Sequence, residues 1–538
     1  MTVREQLDFI AQERLLILDG AMGSMIQVLN LEEEDFRGSV FAEHPTALKG
    51  CNDLLCLTRP EAIAAIHDAY LEAGADIIET CSFNSTSVSL AGYGLSDRAY
   101  EMSLAAAQLA RKSADKFSHS GKPRFVAGSM GPTAKGASLY PDFCDPSKRS
   151  IVWNELEAAY YDNARGLLDG GADILLIETV FDTLNAKAAF FAISRLLEER
   201  RIDVPIMVSA TVSSESGHLL SGQTLEAFCI SVSHISSFGK GAPWAIGLNC
   251  SFGPEKLLPH IRLLSDLSHC LISAHPNAGL PDNSGVYEET PERMAANIEA
   301  YLKEGLVNII GGCCGSTPAH IAAIAAKAAA YQPRPLPDFP RSGHFAGLES
   351  LFVAGDTIHL TQDVAKNKEF LRLAAEGEFE FASDVAREIV EAGAVIINIE
   401  MDDEVIMSRF LDYAIFDPYI AKVPFMINSL HWNVIECGLK RLQGRGFAKP
   451  INLKDGEEVF LRKVELISRY GAAAVVTFVD ERGEAETDER QIKIAKRVYK
   501  LLRKKGCLVE NIIFVPNPPS ENVCAWIKKK CPGVLLLL

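Results

Sequence analysis

The chain has no run of about 20 consecutive apolar residues, so no segment reads as a membrane-spanning helix. Its closing run, Val534-Leu-Leu-Leu-Leu538, is far too short. The N-terminus, Met1-Thr-Val-Arg-Glu-Gln-Leu-Asp-Phe-Ile10, lacks the apolar h-region and small-residue cleavage site of a secretory signal. The expected compartment is therefore the cytoplasm. Positive charge is in short supply: 53 Lys and Arg stand against 70 Asp and Glu, a formal net charge of -17. Nucleic acid and anionic membrane surfaces require clustered positive charge, so neither is an expected partner.

What is present is an ordinary globular composition, 48% hydrophobic and 23% charged. At 538 residues the chain is too long for one core, which predicts two to four domains, and fewer where a barrel of about 250 residues is present. Cysteine is abundant, at 13 residues, but the count is odd and the spacing irregular. Such thiols read as reduced, buried or metal-bound rather than paired. Cys51, Cys56, Cys81, Cys144, Cys229 and Cys270 lie among apolar or small neighbours and read as small buried hydrophobes.

Short apolar runs alternate with helix-like segments. The runs are Leu15 to Gly20, Asp76 to Thr80, Arg124 to Ser129, Asp173 to Thr179, Pro205 to Thr211, Trp244 to Cys250, Cys270 to Asn277 and Val307 to Gly312. Between them, Pro60 to Gly74 shows apolar residues at three- and four-residue spacing, with proline at its start and glycine at its end. Eight continuous apolar strands separated by helices predict a (β/α)8 TIM barrel over residues 1–331. A proline-rich linker follows at 332–345. A second β/α rhythm runs over 346–538, with strands expected at Leu351 to Gly355, Val395 to Glu400, Pro424 to Ser429, Lys449 to Leu453, Ala473 to Phe478, Asn511 to Pro516 and Gly533 to Leu538. Seven strands are one short of a closed barrel, so a second, incomplete TIM-barrel-like domain is the expectation.

Polar residues collect at the strands' C-terminal ends, the face that carries the active site in such barrels. Cys250 ends the sixth run, and Cys313 and Cys314 follow the eighth. A cysteine doublet alone does not separate a metal site from two buried thiols. A third cysteine at the same barrel mouth favours zinc. Three thiolates leave one coordination position open, whereas a structural zinc site is usually closed by four ligands. Such a position suits activation of an incoming thiol, since coordination deprotonates it. Asp19 and Glu178, at the first and fourth strand ends, form a carboxylate pair able to hold an α-ammonium group. Helix capping for Asp19 and a structural role for Glu178 remain alternatives. Gly20 and its neighbours offer backbone N–H groups to a carboxylate, or simply form a turn.

At these residues the chain resembles the zinc-dependent homocysteine S-methyltransferases, and most closely the N-terminal half of cobalamin-dependent methionine synthases. The likeness is carried by Leu18-Asp-Gly-Ala-Met-Gly23, Glu79-Thr-Cys-Ser-Phe-Asn84, Gly128-Ser-Met-Gly-Pro132, Glu178-Thr-Val-Phe-Asp182, Ser221-Gly-Gln223, Gly247-Leu-Asn-Cys-Ser251, Pro276-Asn-Ala-Gly279 and Gly311-Gly-Cys-Cys-Gly315. It implies zinc on Cys250, Cys313 and Cys314, and homocysteine as the substrate. The substrate-binding candidates are Asp19, Gly20, Glu178 and Asn249.

The second domain resembles the methyltetrahydrofolate-binding module of the same synthases through Asp384-Val-Ala-Arg387, Arg409-Phe-Leu411, Ile427-Asn-Ser429, Trp432-Asn-Val-Ile435 and Gly456-Glu-Glu458. Its candidate ligand positions are Asp356, Asn398, Asn428, Asn452 and Asn517. Here the chain departs from the family. Asn398-Ile-Glu400 stands where the family has Asp-Ile-Asn, Asn428-Ser-Leu430 where it has Asp-Ser-Ser, and Val515-Pro-Asn517 where it has Asp-Pro-Asn. Losing three carboxylate acceptors puts folate binding in doubt. No histidine has an aspartate two residues before it, so the cobalamin signature Asp-x-His-x-x-Gly is absent. The resemblance thus implies cobalamin as a methyl carrier on a separate or missing corrinoid module, with methyltetrahydrofolate a further possible partner. Direct use of S-methylmethionine or a betaine, and a non-catalytic zinc- or thiol-binding role, remain the competing expectations.

Overall fold

The computed structural model describes the chain except residues 143, 236–240, 283–286, 338–342 and 361–362. It divides into two compact units. One takes 1–136, 154–220 and 243–338, and the other takes 137–153, 221–242 and 339–538. Residues 137–153 and 221–242, which fall within the span of the expected first domain, thus cluster with the second unit. The expected linker falls partly on 338–342, outside the described residues.

In the first unit, all eight apolar runs become strands: β1 (Leu16–Ile17), β2 (Ile77–Glu79), β3 (Phe125–Met130), β4 (Ile174–Val180), β5 (Ile206–Ala210), β6 (Pro243–Cys250), β7 (Leu271–Pro276) and β8 (Ile309–Ile310). They pair in parallel in the order β1-β8-β7-β6-β5-β4-β3-β2, and a parallel bridge from Leu18 to Ile77 joins the two ends into a barrel. Both faces of each strand are covered, which is why the strands read as unbroken apolar runs. The phrase Gly-Ala-Asp recurs before β2 and β4 for a physical reason. Gly74 and Gly171 take positive φ and end the preceding helices, which L-residues with a Cβ resist. Asp76 and Asp173 then each accept a backbone N–H from the preceding strand segment, from Ile17 and Val126, and an arginine, Arg14 and Arg111. These contacts tie strand bottoms together, away from the C-terminal mouth.

The barrel interior is filled by Leu16, Leu18, Ile77, Phe125, Ala127, Ile174, Leu176, Met207, Ala245, Leu271 and Ile309. Side chains alternate across a strand. Continuing each interior series toward the C-terminal ends leads to Glu79, Ser129, Glu178 and Ser209 and, one step beyond Gly247 and Ser273, to Asn249 and His275. The apolar plug therefore gives way to a polar floor at the mouth.

The second unit begins with an antiparallel hairpin, β9 (His344–Ala346) and β10 (Ser350–Phe352). The run at Leu351 to Gly355, expected to open the sheet, supplies the second arm of this hairpin instead. The sheet itself holds β11 (Thr357–Ile358), β12 (Ile397–Glu400), β13 (Phe425–Asn428), β14 (Phe447–Ile451) and β15 (Ala473–Thr477). A small hairpin, β16 (Val479–Asp480) and β17 (Gly483–Glu484), precedes β18 (Ile512–Val515) and β19 (Leu535–Leu537). The seven parallel strands run β11-β19-β18-β15-β14-β13-β12, so the first strand pairs with the last, and β11 and β12 form the two edges. Interior positions are Ile358, Ile396, Met426, Phe447, Ala473, Val475, Ile513, Leu535 and Leu537, packed with Phe345 of the hairpin. Fully buried Arg445 stacks over Phe345 at 4.7 Å and donates to Glu510 O and Asn511 Oδ1, so its charge is met by hydrogen bonds. Residues 137–153 join this unit through Arg149, which donates twice to buried Asp412, and Tyr140, whose ring meets Phe416 edge-on at 4.9 Å.

Candidate metal and substrate site

Three thiols converge at the barrel mouth. The sulfurs of Cys250, Cys313 and Cys314 all lie within 4.8 Å of one another, and Cys250 Sγ is 3.8 Å from Cys314 Sγ. Backbone pinning makes this possible. Gly312 N donates to Asp19 O, Cys313 N to Pro276 O, and Ala278 N to Cys314 O, so the doublet is tied to the ends of both β1 and β7. Gly315 turns the chain at φ +79, with Tyr287 packed where a Cβ would stand. Cys250 itself has φ +59 and its neighbour Ser251 φ +63, a left-handed pair that non-glycine residues adopt at a cost. Ser251 Oγ accepts from Val212 N at 2.8 Å, which holds that turn.

The thiols share protons unevenly. Hydrogen bonds from Cys250, then Cys313, and also from Tyr287, pull the Cys314 thiol far down. Cys313 is pushed up by its hydrogen bond with Cys250, by Cys314 and by burial.

Three carboxyl groups share the mouth, and one of them, Glu79, was not among the substrate candidates drawn from the sequence. Asp19 Oδ2 accepts from Glu79 N at 3.0 Å, and Asp19 Oδ1 is buried without a partner among the described residues. Asp19 is no helix cap, since the helix Met22–Val28 begins after Ala21 with no side-chain cap. Glu178 accepts from Ser129 Oγ. Glu79, at the end of β2, completes a trio. Burial raises all three above the usual carboxyl range, and mutual repulsion adds to it: Glu178 acts on Asp19, and both act on Glu79. Glu178 is pushed up to about 7, first by burial and then by Cys314. Such a trio gains most from a cation that neutralises it.

Asn249 joins the two halves of the site. Its Oδ1 accepts from Thr179 N at 2.9 Å and from Ser209 Oγ, while its Nδ2 donates to Thr179 Oγ1 at 2.7 Å and lies 3.8 Å from Cys313 Sγ. Gly20 packs against the opposite wall, where a Cβ would meet Ser316 Oγ at 2.7 Å and the Tyr70 ring at 2.9 Å. Gln223, within a stretch that carried the resemblance, lies in the second unit and donates to Gly347 O at 2.8 Å.

In the second unit the candidate positions separate. Asp356 precedes β11 and so stands at the opposite, N-terminal edge of the sheet, paired with Lys528 at 2.7 Å. The other four gather at the C-terminal ends. Asn398 Nδ2 donates to Asp363 Oδ1 at 2.9 Å, and Asn428 Nδ2 to Glu400 Oε2 at 3.1 Å. Asn452 Nδ2 donates to Thr477 Oγ1 at 3.3 Å, and Asn517 Nδ2 to Glu484 Oε1 at 2.7 Å. Asp363, just beyond β11, also reaches this end, and the sequence reading did not select it.

Residues 16–328 match the sequence model of the homocysteine S-methyltransferase family, more than half of the chain. The chain belongs to that family. Residues 364–517 match the pterin-binding enzymes. Among solved structures it is similar to the Escherichia coli homocysteine methyltransferase MmuM in its metallated form, at 24% identity over 60% of this chain and 99% of that one, TM-score 0.46. The oxidized form of that protein matches with the same figures. The carboxyl transferase domain of Rhizobium etli pyruvate carboxylase, with 3-bromopyruvate, is similar at 14% identity over 61% and 49% of the two chains, TM-score 0.32.

Glu79 and Tyr287 are the residues of this homocysteine S-methyltransferase-family barrel that sequence reasoning passed over. Glu79 could have been found, since it ends a strand two residues after an interior isoleucine. Tyr287 sits in a loop and is placed by its packing on Gly315, a signal that no local pattern carries. Among the described residues no helix is long and apolar enough to cross a membrane.

Proposed function

We propose that this chain methylates the thiol of homocysteine to give methionine, using a zinc ion held by Cys250, Cys313 and Cys314. The observation that carries the reading is the convergence of three sulfurs within 4.8 Å at the mouth of a family-matched barrel. The donor set fits the ion. Zinc–sulfur bonds of about 2.3 Å in a tetrahedron separate the sulfurs by about 3.8 Å, and the Cys250 and Cys314 sulfurs are 3.8 Å apart. When bound, zinc supplies the acidity that turns the substrate thiol into a nucleophile at neutral pH.

The rest falls to the chain's own groups. Asp19, Glu79 and Glu178 receive the α-ammonium, whose charge relieves their mutual repulsion. Ser129 holds Glu178, and Asn249 braces the wall between Thr179 and Cys313. Orientation of the thiol toward an approaching methyl group is the barrel's main contribution. A lone pair on the substrate sulfur forms the new S–C bond, the methyl group's bond to its carrier breaks with its electron pair staying on the carrier, and the thiol proton leaves to water.

For the donor we assign a methylated corrinoid on a separate protein or module, with methyltetrahydrofolate at the second unit as its source. The pterin-binding match over 364–517 supports the second part. The test is an assay of zinc-loaded protein with homocysteine against free methylcobalamin, methyltetrahydrofolate and S-methylmethionine. Methionine should form from methylcobalamin. Methionine from S-methylmethionine alone overturns the donor assignment, and none from any donor overturns the methyltransferase reading.

A further inference from the structure

Asn398 is buried to 2% exposure at the C-terminal mouth of the second unit. It shares the interior face of β12 with Ile396, directly above the apolar plug. Its Oδ1 is buried and has no partner among the described residues, whereas its Nδ2 donates to Asp363 Oδ1 at 2.9 Å. An amide is ambiguous: turned one way it offers an acceptor, turned the other a donor. A carboxylate cannot donate when ionised, so Asp363 permits only one orientation. The NH2 must face Asp363, and the carbonyl must face the mouth.

We propose that Asp363 is a positioning residue that fixes Asn398 as a pure acceptor for a ring N–H or amino group of the second unit's ligand. This rests on the reading that the unit takes a pterin. The family resembled here has a carboxylate where Asn398 stands. The structure moves the negative charge one hydrogen bond away, to Asp363, and keeps an acceptor oxygen in its place. Neighbouring Asn428 repeats the arrangement, with its NH2 on Glu400. At Asn398 and Asn428, two of the three positions that lost a carboxylate, the loss is therefore an exchange, and a pterin's donors still meet acceptors there.

A structural role competes with this one. β11 and β12 are the unpaired edges of the sheet, and the Asp363–Asn398 bond also bridges them. The experiment separates the two roles. Methyltetrahydrofolate binding and thermal unfolding are measured on the full chain for wild type, Asp363→Asn, and the exchanged pair Asp363→Asn with Asn398→Asp. The single variant leaves the amide at 398 free to turn and should weaken binding by about tenfold, the scale of one hydrogen bond to a charged group. The exchanged pair reverses the donor and acceptor but again presents an acceptor oxygen to the mouth, so binding should return to within about threefold of wild type, a residual well under one hydrogen bond. Unchanged affinity in Asp363→Asn overturns the proposal, as does an exchanged pair that regains thermal stability without regaining affinity. If wild type itself binds no methyltetrahydrofolate, the pterin reading fails and this inference with it, while homocysteine methylation from methylcobalamin stands apart.

Discussion

Replacing Gly311 with alanine tests the joint on which the whole first site is built. Gly311 follows β8 and faces the end of β1. A Cβ there would sit 2.8 Å from Leu18 Cβ and 2.9 Å from both Leu18 O and Asp19 O. Carbon contacts are comfortable from about 3.5 Å, so the two strand ends must part by about half an ångström. Two of the three obstacles are backbone atoms and cannot rotate away. Overpacking of this kind costs about 1–3 kcal/mol. For a unit of this size, that lowers Tm by about 2–5 °C. The displacement falls between Asp19 and the Cys313–Cys314 doublet, so it should also lower kcat/KM for homocysteine by about tenfold, given that misplacement by 1 Å costs about a hundredfold. Differential scanning calorimetry and a methylcobalamin-dependent assay read the two effects. Gly92→Ala is the control, since a Cβ at Gly92 meets nothing within 4 Å. Equal behaviour of the two variants, or a Gly311→Ala protein with wild-type Tm and activity, refutes the reasoning.

Glu178→Gln should change stability in a pH-dependent way. Burial lifts Glu178 from 4.5 to about 7, so the folded protein keeps a proton that the unfolded chain releases. The native state is favoured below pH 4.5 and loses that advantage as pH rises through 7. The variant should therefore stabilise the metal-free protein at pH 8 by up to about 3 kcal/mol relative to its effect at pH 5, while weakening homocysteine binding. A shift in Tm independent of pH contradicts the assignment. Cys314→Ala should lose both zinc and activity, and metal analysis showing full zinc retention refutes its role as a ligand. Asp412→Ala strands two guanidiniums, Arg149 and Arg441, beside a buried position. It should cost about 3–5 kcal/mol in chemical denaturation of the second unit, and a loss below about 1 kcal/mol shows that the pair is not a structural clamp.

Much of the first unit was legible. Parallel strands covered on both faces appear as continuous apolar runs, and a Gly-Ala-Asp phrase stands before both β2 and β4. The cysteines were legible because strand ends in a barrel converge, whatever their separation in sequence. The second unit was harder to read. Leu351 to Gly355 has the apolar content of a sheet strand, but pairing with His344–Ala346 claimed it for a hairpin, and the short β11 took its place. That shift carried Asp356 to the wrong end of the sheet and brought Asp363 to the right one. A displacement of a few residues along a strand reverses which end of a sheet a side chain serves.

The sequence by itself determined the strand rhythm, the barrel and the family, because these depend on periodicity and on short motifs that the chain carries locally. The tertiary structure alone decided how the charges meet. It placed Glu79 beside Asp19 and Glu178, brought Cys250 onto the Cys313–Cys314 doublet, and set carboxylates against Asn398, Asn428 and Asn517 of the second unit. The physical reason is that a side chain's chemistry depends on its neighbours within a few ångströms. In a barrel those neighbours come from strands dozens to hundreds of residues apart, so their register must exist before their chemistry does.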